Sequence, residues 1–180
     1  TYTTTNPELI VVAAYGKILP LEFIDYPKYK SINIHGSILP TLRGAVPVQM
    51  AILKGFKKTG VSVQIMSEKM DEGDVLFSKE IDILDSDNTS SLMDKLAILS
   101  SELLKEKLLS YIDGKVVPVK QDGTQATYCY LSDVSYERAM IDWNKSASEI
   151  HNLVRAFNPD PIAYTENFHP NISGKVRIFE

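Results

Sequence analysis

Four short apolar runs rich in β-branched residues, spaced by segments of other texture, constrain the fold of this chain more than any other feature. Leu9-Ile10-Val11-Val12-Ala13-Ala14, closed by Gly16, is too short for a stable helix and reads as a strand buried on both faces. Ser31-Ile32-Asn33-Ile34-His35 is a second such run, residues 60–66 a third, and residues 75–83 a fourth with partial alternation. Residues 47–53 predict a helix, with Pro47 near its first turn and Gly55 after its last. A longer helix follows the fourth strand, where Leu92, Leu96, Leu99, Leu103 and Leu104 recur at helical spacing and Ser91-x-x-Asp94 can serve as a capping box. Strands interleaved with helices predict an α/β domain with a largely parallel sheet.

The texture changes after about Val119. Residues 121–135 are polar and turn-rich, the profile of a linker, with a short strand expected at Tyr128-Cys129-Tyr130. Residues 146–157 form an amphipathic helix with Ile150, Leu153, Val154 and Phe157 on one face, stopped by Asn158-Pro159-Asp160-Pro161. Lys175-Val176-Arg177-Ile178-Phe179 alternates like the first strand of a new unit. The expected division is therefore 1–118, a linker at 119–139, and a second unit beginning at 140 and running to 180.

Composition narrows the function classes. With 44% hydrophobic and 23% charged residues, the 180-residue chain can bury a sizeable core without disulfide or metal staples. Its single cysteine, Cys129, excludes a disulfide framework and fits a reducing, cytoplasmic setting. No apolar run approaches the ~20 residues of a membrane span, so no membrane partner is expected. The net charge of −4 argues against a strongly basic nucleic-acid binder. That mean hides an asymmetry: residues 1–63 carry seven bases and three acids, whereas residues 64–114 carry five bases and twelve acids. No glycine-rich phosphate loop of the dinucleotide or Walker type is present.

One stretch carries chemistry. Asn33 and His35 are two apart at the end of an apolar strand, so they point to the same face, and ligand crevices of open α/β sheets lie at the carboxyl ends of strands. The loop Gly36-Ser37-Ile38-Leu39-Pro40-Thr41-Leu42-Arg43-Gly44 holds apolar residues that could wall a flat heteroaromatic ligand. Met70-Asp71-Glu72-Gly73-Asp74 forms an acidic turn between two strands. Asn33, His35 and Asp71 converging on one crevice would offer an amide donor, an imidazole and a carboxylate. Taken singly, each has a plain structural alternative: a packed histidine, a solvated turn. Arg43 could face an anionic substrate or make a structural salt bridge. Trp143 is expected to anchor the second unit, and Cys129 to be packed; His151 is expected to be structural and His169 solvated.

Together these residues resemble the signature of the folate-dependent formyltransferases, N-x-H-x-S-L-L-P-x-x-R-G-x-x-P followed by L-D-x-G-D. The matching positions are Asn33, His35, Ser37 to Pro40, Arg43-Gly44 and Pro47, then Met70-Asp71-Glu72-Gly73-Asp74, with Thr59-Gly60-Val61 between. Tyr15-Gly16-Lys17-Ile18-Leu19-Pro20, Ile141-Asp142-Trp143 and Arg155-Ala156-Phe157-Asn158-Pro159 resemble members that formylate methionyl-initiator-tRNA, although Asp160 stands where their domain join carries Trp. The resemblance implies a partial Rossmann-like formyltransferase domain, a linker, and the start of an OB-like C-terminal β-barrel for tRNA. It also implies further segments before Thr1 and beyond Glu180.

By the same resemblance, the reaction moves a formyl group from 10-formyltetrahydrofolate to the α-amine of initiator methionyl-tRNA in a monomeric enzyme without a metal. Asn33 would donate to the formyl oxygen, His35 would assist as donor or proton shuttle, and Asp71 would orient His35, directly or through a water. Ser37, Ile38, Leu39 and Pro40 would contact the folate, aided by the backbone near Ile18-Leu19-Pro20 and by residues 71–74. Competing readings are a formyltransferase for a nucleotide-linked amino sugar, a non-catalytic folate-binding module, and a metal-dependent deacylase using Asn33, His35 and Asp71. The charge balance further predicts that these 180 residues alone bind tRNA weakly.

Overall fold

The computed structural model describes residues 5–166 and 174–179. Its main sheet has four strands in the order β1-β2-β4-β5: β1 is Ile10–Ala13, β2 Ser31–His35, β4 Lys58–Ile65 and β5 Val75–Asp82. A short helix α1 (Leu21–Asp25) lies in the crossover that makes β1 and β2 parallel. The other two pairings, β2·β4 and β4·β5, are antiparallel, so the sheet is mixed rather than largely parallel. Chain length explains the β4·β5 case. Only residues 66–74 join those strands, too few for the crossover of a dozen or more residues that a parallel pair needs. β1 also departs from expectation. It lies at the end of the described sheet, its burial alternates, and Val11 is exposed, so it is not buried on both faces.

The predicted helix α2 occupies Pro47–Leu53 with proline in its first turn. Helix α3 runs Thr89–Ile112 and presents Leu92, Leu96, Leu99 and Leu103 to the core formed with Ile32, Val61, Val63, Ala51 and Ile52. Its capping box is Asn88 with Ser91, three residues upstream of the pairing expected from Ser91 and Asp94. Asn88 Oδ1 accepts from Ser91 N, and Ser91 Oγ from Asn88 N.

The chain beyond α3 returns to the first unit three times. Val119 pairs with Val75 in both directions, at 2.9 and 2.8 Å. β6 (Tyr128–Cys129) then pairs in parallel with β3 (Arg43–Gly44). Helix α4 (Ala147–Ala156), capped by Ser146 and Glu149, packs on α2, and Ala139, Ala156, Phe157 and Tyr164 join the main core. Thr89 Oγ1 donates to Ala156 O at 2.7 Å. Strands β7 (Tyr164–Glu166) and β8 (Lys175–Arg177) make an antiparallel pair. No described helix is long and apolar enough to cross a membrane.

Candidate active site

β2 delivers Asn33 and His35 to one face, and the sharp turn after β4 delivers Asp71 to the same place. Asp71 Oδ1 accepts from Asn33 Nδ2 at 3.4 Å and from Gln64 Nε2 at 2.8 Å. Its Oδ2 accepts from the backbone N–H of Gly44 at 2.8 Å and lies 3.6 Å from His35 Nδ1. The three residues singled out from sequence are thus brought together around one carboxylate.

His35 is oriented chiefly by a partner other than Asp71. Its Nε2 lies 2.8 Å from Leu42 O, and a carbonyl can only accept, so Nε2 carries the proton. In the neutral ring Nδ1 is then a bare acceptor; in the charged ring its N–H lies within ion-pair distance of Asp71 Oδ2. Any proton His35 exchanges is taken and lost at Nδ1.

Gly44 makes its contribution with backbone alone. Its φ of +116° lies where side chains are rarely tolerated, and an added Cβ would stand 2.1 Å from Cys129 O. Arg43 beside it is buried at 4% exposure, and its partners are structural. Nε and Nη2 donate to Gln121 Oε1 at 3.1 and 2.8 Å, and Nη1 to Tyr128 OH at 3.1 Å, with Glu72 Oε1 at 3.4 Å.

The loop expected to contact folate is packed inward over β4. Ser37 and Leu39 are buried; Ser62 Oγ donates to Ser37 O at 2.8 Å and accepts from Leu39 N at 3.0 Å. Pro40 O accepts from Thr127 N, and half-buried Ile38 borders a surface hollow with Phe56, Thr59 and Lys58. Exposed apolar side chains lie at Tyr15 and Ile18, just beyond the carboxyl end of β1, and at Met70 before Asp71. Because β1 runs parallel to β2 with Ala13 opposite Ile34, the 14–20 segment leaves the sheet beside Asn33 and His35.

Gln64 and Gln121 were missed in the sequence. Gln64 carried a signal, since Ser62 and Gln64 place two polar groups on one face between the apolar Val61, Val63 and Ile65. Gln121 carried none. Of the other polar candidates, Trp143 is half exposed with its indole N–H donating to Thr165 Oγ1 at 2.9 Å, and His151 is exposed. Cys129 is fully buried, which pushes its thiol pKa up; His169 lies outside the described residues. Among the described residues no group of three or more His, Cys, Asp or Glu side chains could hold a metal ion.

The structure is thus a mixed α/β domain in which an Asn, a His and an Asp meet near the end of a central strand. The chain belongs to the formyl transferase family: the formyl transferase model matches residues 1–108, and the formyl transferase C-terminal domain model matches residues 133–180. It is 48% identical over 160 residues to a methionyl-tRNA formyltransferase of Bacillus licheniformis, covering 89% of this chain and 50% of that protein. Against the methionyl-tRNA formyltransferase of Clostridium novyi the identity is 46% over 160 residues, 89% of this chain and 51% of the relative. The chain therefore spans about half the length of the curated relatives it matches. A sugar N-formyltransferase from a Shewanella species superposes with TM-score 0.78 at 25% identity, over 96% of this chain and 69% of that one. HypX from Aquifex aeolicus, solved with tetrahydrofolic acid, shares the fold, with TM-score 0.83 at 21% identity over 99% of this chain and 30% of that one.

Proposed function

We propose that the protein containing this chain transfers a formyl group from 10-formyltetrahydrofolate to the α-amine of initiator methionyl-tRNA, with Asn33, His35 and Asp71 as the catalytic residues. The observation that carries the reading is the meeting of these three side chains around the Asp71 carboxylate. The choice of tRNA over an amino sugar rests on the 43–48% identity to proteins named methionyl-tRNA formyltransferase.

An α-amine has a pKa of about 8, so part of it is already neutral near pH 7 and can attack the formyl carbon. Attack forms the new C–N bond and opens the formyl C=O to a tetrahedral oxyanion; its collapse breaks the bond to N10, and the proton lost by the amine is returned to N10. Negative charge develops on the formyl oxygen, where preorganised donors contribute most. Asn33 commits one amide N–H to Asp71 and keeps the other for that oxygen. His35 exchanges a proton at Nδ1, next to Asp71 Oδ2. Asp71, held by Gln64 and by the N–H of Gly44, fixes both partners. No step calls for a metal.

The backbone at residues 18–20 and 71–74 would hold the folate, with Tyr15, Ile18 and Met70 as an apolar wall. Ser37, Ile38, Leu39 and Pro40 would contact the folate as one loop, which Ser62 seats on β4. Residues 1–118 would form the later part of the catalytic domain, 119–139 the linker, and 140–180 the start of an OB-like tRNA-binding domain in a monomeric, cytoplasmic protein. The test is a side-by-side formylation assay of the full-length protein. Transfer to methionyl-tRNA with none to a dTDP- or UDP-linked amino sugar is expected; the reverse preference contradicts the proposal.

A further inference from the structure

The turn bearing Asp71 is held in a conformation it would not adopt alone. Asp71 has φ +55°, a left-handed backbone that costs a residue with a side chain about 1–3 kcal/mol and persists only where its surroundings over-determine it. Gly44 and Gln64 hold its carboxylate, and Gln121 is the side chain that holds its backbone. Its Nε2 donates to Asp71 O at 2.9 Å and to Gly73 O at 2.7 Å, and lies 3.3 Å from Oε1 of Gln64. Its Oε1 accepts from Nε and Nη2 of buried Arg43. Every neighbour of Nε2 is an acceptor and every neighbour of Oε1 is a donor, so only one orientation of the amide fits.

Gln121 is itself firmly seated. Two residues before it, Val119 pairs with Val75. One residue after it, Asp122 accepts from the hydroxyl and N–H of Thr124 and from Gln125 Nε2; the Thr124 bonds, side chain first, draw the carboxyl below its ordinary pKa range. Gln121 lies between the segments matched by the two family models, 1–108 and 133–180.

We infer that Gln121 is a positioning residue for formyl transfer, holding the Asp71 backbone so that its carboxylate meets Asn33, Gln64, Gly44 and His35. The inference rests on the reading that Asp71 takes part in catalysis. It makes the segment between the two domains part of the catalytic apparatus, and gives Arg43 the role of orienting the Gln121 amide.

Gln121→Glu in the full-length enzyme separates positioning from simple packing. The carboxylate keeps the size and pairs with Arg43, which preserves the fold, but it has no donor for the carbonyls of Asp71 and Gly73. Leaving the two carbonyls unpaired lowers its melting temperature by several degrees, but well below that temperature KM for the formyl donor should stay within about twofold while kcat falls between about 10-fold and 10²-fold, the scale for displacing a catalytic group by about 1 Å. Gln121→Asn, one methylene too short, is the second variant and should lose kcat similarly when assayed well below its melting temperature. In an Asp71→Ala background Gln121→Glu should cost almost nothing further, because the carboxylate it positions is gone. Wild-type kcat in both Gln121 variants overturns the inference, as does a Gln121→Glu loss that persists in full without the Asp71 carboxylate. Wild-type turnover in Asp71→Ala alone overturns the functional reading and this inference with it.

Discussion

Gly44→Ala is expected to damage stability and catalysis together. The new Cβ would sit 2.1 Å from Cys129 O, where ordinary contact begins at 3.4 Å, so the β3·β6 backbones must part by more than an ångström. A φ of +116° adds about 1–3 kcal/mol of backbone strain for a residue with a side chain. Separation also weakens the bonds from Ala45 N to Cys129 O at 3.0 Å and from Arg43 N to Thr127 O at 2.8 Å, each worth about 1 kcal/mol. The total is about 3–5 kcal/mol, which for a chain of this size lowers the melting temperature by roughly 10 °C. The same movement withdraws the Gly44 N–H from Asp71 Oδ2, 2.8 Å away, and a catalytic carboxylate displaced by about 1 Å loses about 10²-fold in turnover. Thermal unfolding and single-turnover formyl transfer read the two effects on one preparation. A Gly44→Ala protein with wild-type melting temperature and wild-type turnover would refute the reasoning.

Two further outcomes concern how α4 is held to the first unit. Arg155 is 1% exposed and donates from Nη1 to Leu84 O at 2.9 Å and Asp87 O at 3.0 Å. Arg155→Met leaves both buried carbonyls unpaired at about 1–3 kcal/mol each, so a loss of about 3–5 kcal/mol is expected in denaturant unfolding, and a loss below about 1 kcal/mol contradicts the clamp. Asp87 gives the pH dependence: burial alone would raise its carboxyl pKa, but bonds from Lys95 Nζ, Leu84 N–H and Ser91 Oγ outweigh it and the net shift is downward. A depressed folded-state pKa means its stabilisation is present above the unfolded value of about 4 and is lost as pH falls through the lower folded value. The urea midpoint of wild type should therefore drop towards that of Asp87→Asn on acidification; a gap between the two that is constant with pH counts against this.

Much of the fold was legible where local rules decide it. Pro47 and Gly55 bracket α2, the leucine period marks α3, and Ser146 with Glu149 caps α4. The cap of α3 was misplaced because Asn88 offers as good an acceptor as Ser91, and the strand before it ends early enough to use it. Strand direction is not written in the apolar runs themselves; the nine-residue connection from Ile65 to Val75 does encode the antiparallel β4·β5 pair. At the site, Asn33, His35 and Asp71 were readable from spacing and from the family signature. Leu42 O, which orients His35, was not, because any residue has a carbonyl. Gln121 lies 50 positions from Asp71, and only the tertiary fold brings its amide to that turn. Arg155 shares the polar side of α4 with Ser148, His151 and Asn152, and its burial is explained by the carbonyls of another element.

The most direct measurement is the single-turnover rate of formyl transfer to methionyl-tRNA by the full-length Asp71→Ala enzyme, with Asn33→Ala and His35→Ala assayed beside it. Each variant should fold and lose at least about 10²-fold in rate, the usual cost of removing one preorganised group at a developing oxyanion. Wild-type rates in all three would contradict the assignment of catalysis to the cluster around the Asp71 carboxylate.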